Sequence, residues 1–195
     1  MLNSICNRER FIDLIKQEDY KIGLEVGVRT GDYSRFLVKS HKWDEFYGID
    51  CDSKCTSHTQ DLTEYNYKMV IGKSPDIAVE FKDNYFDFIY IDAWHTYESV
   101  TKDLIAWYPK LKEGKLFCGD DYMLAHDHPE SKFEIVEAVE DFCKERNITY
   151  YVTGFSGKAY NEKRKFASDT WNDFKHRGIQ KTTDIPQWYL IKCSQ

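Results

Sequence analysis

Residues 86–122 constrain the fold of this chain more tightly than any other stretch. An apolar run fills positions 86–91 and stops at Asp92, with His95 one short turn later. Positions 97–111 carry apolar residues at helical spacing, with Val100, Leu104, Trp107 and Leu111 on one stripe. A turn at Glu113 and Gly114 leads into a second apolar run, 115–118, which ends in Gly119, Asp120, Asp121 and Tyr122. Strand, helix, strand over this length predicts parallel strands joined by a crossover. Neighbouring strands lie about 4.8 Å apart. Asp92, Asp120 and Asp121 are therefore expected at one edge of the sheet, where open α/β sheets leave a crevice for ligands.

The upstream residues extend the pattern. Positions 7–20, within an N-terminal segment 1–20, read as an amphipathic helix with Phe11, Leu14 and Ile15 on one face. Positions 21–26 read as a buried strand, 27–31 as a glycine turn, and a helix begins at Asp32. Glycine lets the backbone approach a ligand, and a helix start offers free N–H groups. A dinucleotide fingerprint would need glycine where Arg29 stands, and Asp32 holds the place of the third glycine. The looser Glu25-x-Gly27-x-x-x-Gly31 suits a nucleotide-like ligand without a pyrophosphate. A strand-to-helix turn also uses glycine for geometry alone. Strand 45–49 ends at Asp50, where an acid can accept hydrogen bonds from a ribose diol or simply close a turn. Strand 67–71 is followed by Ser74 and Pro75, which read as helix cap and first helical residue. The same loop could touch a base ring.

Downstream, a loop carries His126 and His128, read as surface or substrate-loop residues, and a helix is expected over 131–146. Its apolar face is Ile135, Val136, Val139, Phe142 and Cys143. Closing strands are expected at 148–153 and 187–192. Residues 154–185 form a lid-like, irregular insertion with Lys158, Lys163, Arg164 and Lys165, and excursions this long are usually functional or disordered.

The totals narrow the function. A chain of 195 residues suits one domain, 1–195. A net charge of −6 argues against a nucleic-acid partner, which calls for a basic face. No segment has the apolar length to span a membrane. Aromatic residues make up 16% of the chain, which serves core packing or a flat-walled cleft. The six cysteines follow no apolar leader and are expected as free thiols in the cytoplasm. Cys51 and Cys55 lack a second pair at zinc-site spacing.

The order of βα units, with Glu25, Gly27, Gly31, Asp50, Asp92 and the Asp120-Asp121 pair, resembles the class I S-adenosylmethionine-dependent methyltransferases over about residues 22–192. The resemblance implies a Rossmann-like, doubly wound α/β sheet of seven strands, mostly parallel with an antiparallel last strand at 187–192. It implies S-adenosyl-L-methionine as cofactor. Glu25, Gly27, Thr30, Gly31 and Ser34 would lie at its methionine end, Asp50 at the ribose, Ser74 near the adenine and Asp92 beside the reactive end.

A narrower pattern, Asp92-x-x-His95-x-Tyr97, Trp107-x-Pro109, Gly114 and Asp120-Asp121, resembles the metal-dependent O-methyltransferases of macrolide and aminocoumarin sugars. That branch implies a divalent metal, Mg²⁺ or Mn²⁺, held by Asp92, Asp120 and Asp121. Asp92 or His95 would be the general base. The expected partner is a small-molecule or glycan substrate; the oligomeric state is not indicated. A catechol-type acceptor and a non-catalytic cofactor-binding module are the competing readings. Arg29 in the glycine turn argues against a nicotinamide enzyme.

Overall fold

The computed structural model describes residues 7–122, 134–153 and 187–193. Seven strands form one sheet: β1 (Ile22–Val26), β2 (Glu45–Asp50), β3 (Tyr67–Ile71), β4 (Phe86–Ile91), β5 (Leu111–Gly119), β6 (Tyr151–Val152) and β7 (Trp188–Ile191). Their order across the sheet is β3-β2-β1-β4-β5-β7-β6. The first five pair in parallel, while β7 runs antiparallel to both β5 and β6. This is the doubly wound, Rossmann-like sheet expected, with 188–191 as the inserted antiparallel strand. The order reverses between β1 and β4, so the carboxyl ends of those two strands border the crevice.

Helices cover both faces: α1 (Phe11–Gln17), α2 (Asp32–Ser40), the short α3 (Cys55–His58) and α4 (Ser74–Ala78), α5 (Tyr97–Trp107) and α6 (Ile135–Glu145). One core joins α5 and α6 to the sheet through Val100, Leu104, Trp107, Val136, Val139 and Phe142. The other joins α1 and α2 through Phe11, Ile15, Leu37 and Trp43. All six residues of β4 are buried, as a central parallel strand requires. Burying one large apolar side chain is worth about 1.5–3 kcal/mol, so β4 has little freedom to slip register and the position of Asp92 beyond it is fixed. The aromatic content mostly serves this core: Trp43, Trp107 and Trp188 are fully buried, while Trp94 is 71% exposed.

Several local expectations change: the helical stretch expected to reach Leu111 ends at Trp107, and the strand expected over 148–153 shortens to Tyr151–Val152. The predicted helix over 7–20 is a 3-10 turn, Arg8–Arg10, followed by α1, and the chain leaves it through Asp19 at φ 48°. β5 begins at Leu111 rather than after a turn at Gly114. Phe86 pairs with Leu111 and Phe88 with Leu116, so the residues between form a bulge, with Gly114 at φ 72° inside it. Ser74 does not cap α4: Lys73 precedes that helix, Ser74 is its first residue, and its hydroxyl is used elsewhere. Residues 126, 128 and the insertion 154–185 lie outside the described residues.

Candidate active site

The turn after β1 brings three strand ends together. Gly27 has φ 90° and donates from N–H to Ile49 O at 2.8 Å. A Cβ at Gly27 would lie 2.0 Å from Asp92 O, so only glycine lets β1 and β4 approach this closely here. Asp92 N–H bonds Val26 O at 2.7 Å, and Asp120 N–H bonds Ile91 O at 3.0 Å. The ends of β1, β4 and β5 are thus laced side by side.

A cavity of about 1120 Å³ opens at this edge. Gly27 and Arg29 form one side, Asp50 and Cys51 the next, and the 72–76 loop the far side. Asp92, Ala93 and Trp94 with Ser99, Lys102 and Asp103 complete the wall. Of the residues expected at a cofactor, Gly27, Asp50, Ser74 and Asp92 line this space. Asp50 also holds the glycine turn: one carboxylate oxygen accepts from Val28 and Arg29 N–H, both at 2.9 Å, and the other from Asp52 N–H at 2.9 Å. Burial opposes its charge, but these donors outweigh burial and lower its pKa.

Glu25 and Ser34 lie behind the cavity wall. They are hydrogen-bonded to each other, and the Ser34 hydroxyl lies 3.1 Å from that of Tyr67. Thr30 turns outward to Asp32, its hydroxyl donating at 2.8 Å. Gly31, at φ 76°, serves as the residue before α2.

Beyond Asp92 lies a second feature. Asp92, His95 and Asp121 each offer one ligand atom, all within 4.8 Å of one another. His95 Nε2 is 3.7 Å from Asp92 Oδ1 and 3.3 Å from Asp121 Oδ2. The expected trio of Asp92, Asp120 and Asp121 is therefore not the one the fold assembles. Asp120 is turned away and buried, its Oδ2 accepting from Arg8 Nη1 at 2.7 Å and its Oδ1 from Gln187 Nε2 at 2.9 Å. Asp121 sits at φ 53°, a left-handed conformation that aspartate tolerates, and its carboxylate faces His95 instead.

The family profile described as "Methyltransferase domain" matches residues 24–122, from β1 through the acid pair. The chain belongs to the methyltransferase-domain family. Among curated proteins, no sequence matches this methyltransferase significantly. Solved structures share its fold. An O-methyltransferase from Bacillus cereus, in complex with S-adenosylhomocysteine, superposes with TM-score 0.64 at 13% identity, over 94% of this chain and 80% of that one. The O-methyltransferase TomG from Streptomyces achromogenes, involved in tomaymycin synthesis and solved with S-adenosylmethionine, gives 0.62 at 15%, over 94% and 78%. A SAM-dependent methyltransferase from Aquifex aeolicus gives 0.54 at 18%, over 74% and 81%.

The acid cluster of the methyltransferase is electrostatically tense. Burial, then the charge of Asp120, raises the Asp121 pKa. Burial also raises Asp92, although His95 pulls it down. For His95, burial disfavours the charged ring, yet Asp92 and Asp121 outweigh burial and raise its pKa. Such mutually shifted groups at a cleft mark functional sites.

Arg8, Gln187 and Asp103 carry no motif that singles them out. Asp103 alone left a trace, an acid on the face of α5 that otherwise carries Val100, Leu104 and Trp107. Among the described residues, no helix is long and apolar enough to cross a membrane, and Cys51, Cys55, Cys118, Cys143 and Cys193 are unpaired thiols.

Proposed function

We propose that this methyltransferase moves a methyl group from S-adenosylmethionine to a hydroxyl of a small-molecule sugar or glycan, with a divalent cation held at Asp92, His95 and Asp121. One observation carries the reading: a three-ligand cluster borders the cofactor-sized cavity and shares Asp92 with it. Two carboxylates and an imidazole fit a divalent first-row ion. The imidazole shifts the expectation toward Mn²⁺ and away from Mg²⁺, which prefers oxygen alone. When bound, such an ion lowers the pKa of a coordinated hydroxyl.

The chain's own residues supply position and proton transfer. Gly27 and Arg29 with Asp50 line the cleft where the cofactor would lie. Asp92, shared by the cavity and the acid cluster, would lie between the cofactor and the acceptor. With His95 Nε2 given to the cation, Asp92 is left to take the hydroxyl proton on the carboxylate oxygen that does not hold the ion. Trp94, exposed beside Asp92, offers a flat face to a pyranose ring. It suits a catechol equally well, which keeps an aromatic acceptor as the second reading. The unpaired thiols fit a reducing compartment such as the cytoplasm.

The test is turnover with S-adenosylmethionine over a panel of sugars and catechols, before and after chelation. Loss of activity in chelator and its return with Mn²⁺ is the expected result. Undiminished turnover in chelator would remove the metal from the mechanism.

A further inference from the structure

The cavity contains an acid that no step above uses. Asp103, on α5, is 3% exposed and lines the cavity. Its Oδ1 accepts from Ser74 Oγ at 2.5 Å, and that hydroxyl accepts from Trp107 Nε1 at 2.7 Å. Ser74 is thereby occupied as donor and as acceptor. Among the described residues, no other side-chain hydrogen bond or ion pair reaches the Asp103 carboxylate. Lys102, next to it in sequence and also at the cavity, is held by Glu98 at 2.6 Å.

A carboxylate only 3% exposed with one neutral donor is costly, because little water reaches it and its second oxygen has no protein donor in its place. The fold retains it where a ligand can supply the missing N–H. Position along the cleft says which part of the ligand does so. The strand order β3-β2-β1-β4 sets the lining residues Ser74, Asp50, Gly27 and Asp92 in that order along the sheet edge, and Ser74 is bonded to Asp103. A cofactor whose reactive end lies at Asp92 and whose ribose lies at Asp50 delivers its base to Asp103. Asp76, also at this end, is exposed and already hydrated, so it gains little from the same contact.

We propose that Asp103 selects the base of the cofactor, its Oδ2 accepting a hydrogen bond from the exocyclic amine of an adenine-type ring. Ser74 then acts behind it, fixing the carboxylate rather than touching the base. The proposal rests on the reading of the cavity as the S-adenosylmethionine site.

The experiment is calorimetry on the full chain at pH 8, with S-adenosylhomocysteine and its hypoxanthine counterpart, S-inosylhomocysteine. The latter presents a carbonyl where the former has an amine. Wild type is expected to prefer the adenine compound by at least about tenfold, since a site built around a donor rejects an acceptor in its place. Asp103→Asn keeps its one oxygen for Ser74 and turns an N–H donor to the base, so the preference should be lost or reversed toward the hypoxanthine compound. Ser74→Ala, which leaves the carboxylate in place, should weaken both ligands while keeping the preference. Equal binding of the two compounds by wild type overturns the proposal, and so does an undiminished preference in Asp103→Asn. The wild-type ratio decides the matter alone if circular dichroism shows that variant unfolded. Failure of wild type to bind either compound would instead overturn the cofactor reading itself.

Discussion

The cofactor cleft and the acid cluster meet at Asp92 but are assembled differently. The cleft is made of turns that follow consecutive strands: Gly27 after β1, Asp50 at the end of β2, Ser74 after β3 and Asp92 after β4. Each residue takes its place because its own strand takes its place. In the cluster, Asp92 and His95 come from one loop and Asp121 from the turn after β5. Arg8 and Gln187, from opposite ends of the chain, decide that Asp120 stays out. A site built from local turns is set by strand register; a site built across the chain is set by which distant partner reaches a carboxylate first.

The largest expected effect falls where the two regions join. Asp92→Asn should lower kcat by about 10²–10³ while S-adenosylhomocysteine binding, measured by calorimetry, changes far less. Equal losses in both would mean that cleft and cluster are one unit. Gly27→Ala attacks the same junction through the backbone. Its Cβ would collide with Asp92 O, at a φ of 90° that alanine resists. Destabilisation upward of about 4 kcal/mol in chemical denaturation is expected.

A paired comparison sharpens the distinction within the acid pair. Asp121→Asn should weaken Mn²⁺ binding by about 10–100-fold, read by electron paramagnetic resonance, with little change in stability. Asp120→Asn should do the reverse. It removes the carboxylate from the largely buried Arg8 pair, 2.7 Å long, at a cost of about 3 kcal/mol. If Asp120→Asn weakens Mn²⁺ as strongly as Asp121→Asn, then Asp120 swings into the ligand set and the trio first expected from sequence is restored.

The same contrast explains what could be read before the structure. β3 was legible to the residue, and the strand ends at Asp50 and Asp92 likewise, because apolar runs bounded by turn residues fix register locally. The pairing of Arg8 with Asp120 was not legible, since no periodicity links positions that far apart. The Ser74-Pro75 pair read as a cap because local chemistry favours one. The tertiary pull of Asp103 and Trp107 on the hydroxyl won instead. The β5 bulge was hidden for a similar reason: Glu113 and Gly114 form a turn-like step in sequence whether or not the chain keeps its strand pairing through it.

A pH-resolved comparison concerns Glu25, which belongs to the cleft by sequence but sits behind its wall, 2% exposed. Burial raises its pKa to about 8, against the opposing bond from Ser34. The unfolded chain releases this proton near the ordinary value of 4.5, and the folded chain holds it to about 8. Between those values the native state binds more protons, so Glu25 makes stability fall as pH rises, by at most about 1.4 kcal/mol per pH unit. Above pH 8 the contribution is flat. Glu25→Gln removes the titration, so the variant should gain on wild type steadily from pH 5 to 8. The difference between the two melting curves isolates Glu25, because the other titrating groups are common to both proteins. A difference that is constant across that range would show that the carboxyl is ionised in the folded apo-protein. Glu25 would then be a buried anion bonded to Ser34 behind the cleft wall rather than a buried neutral acid.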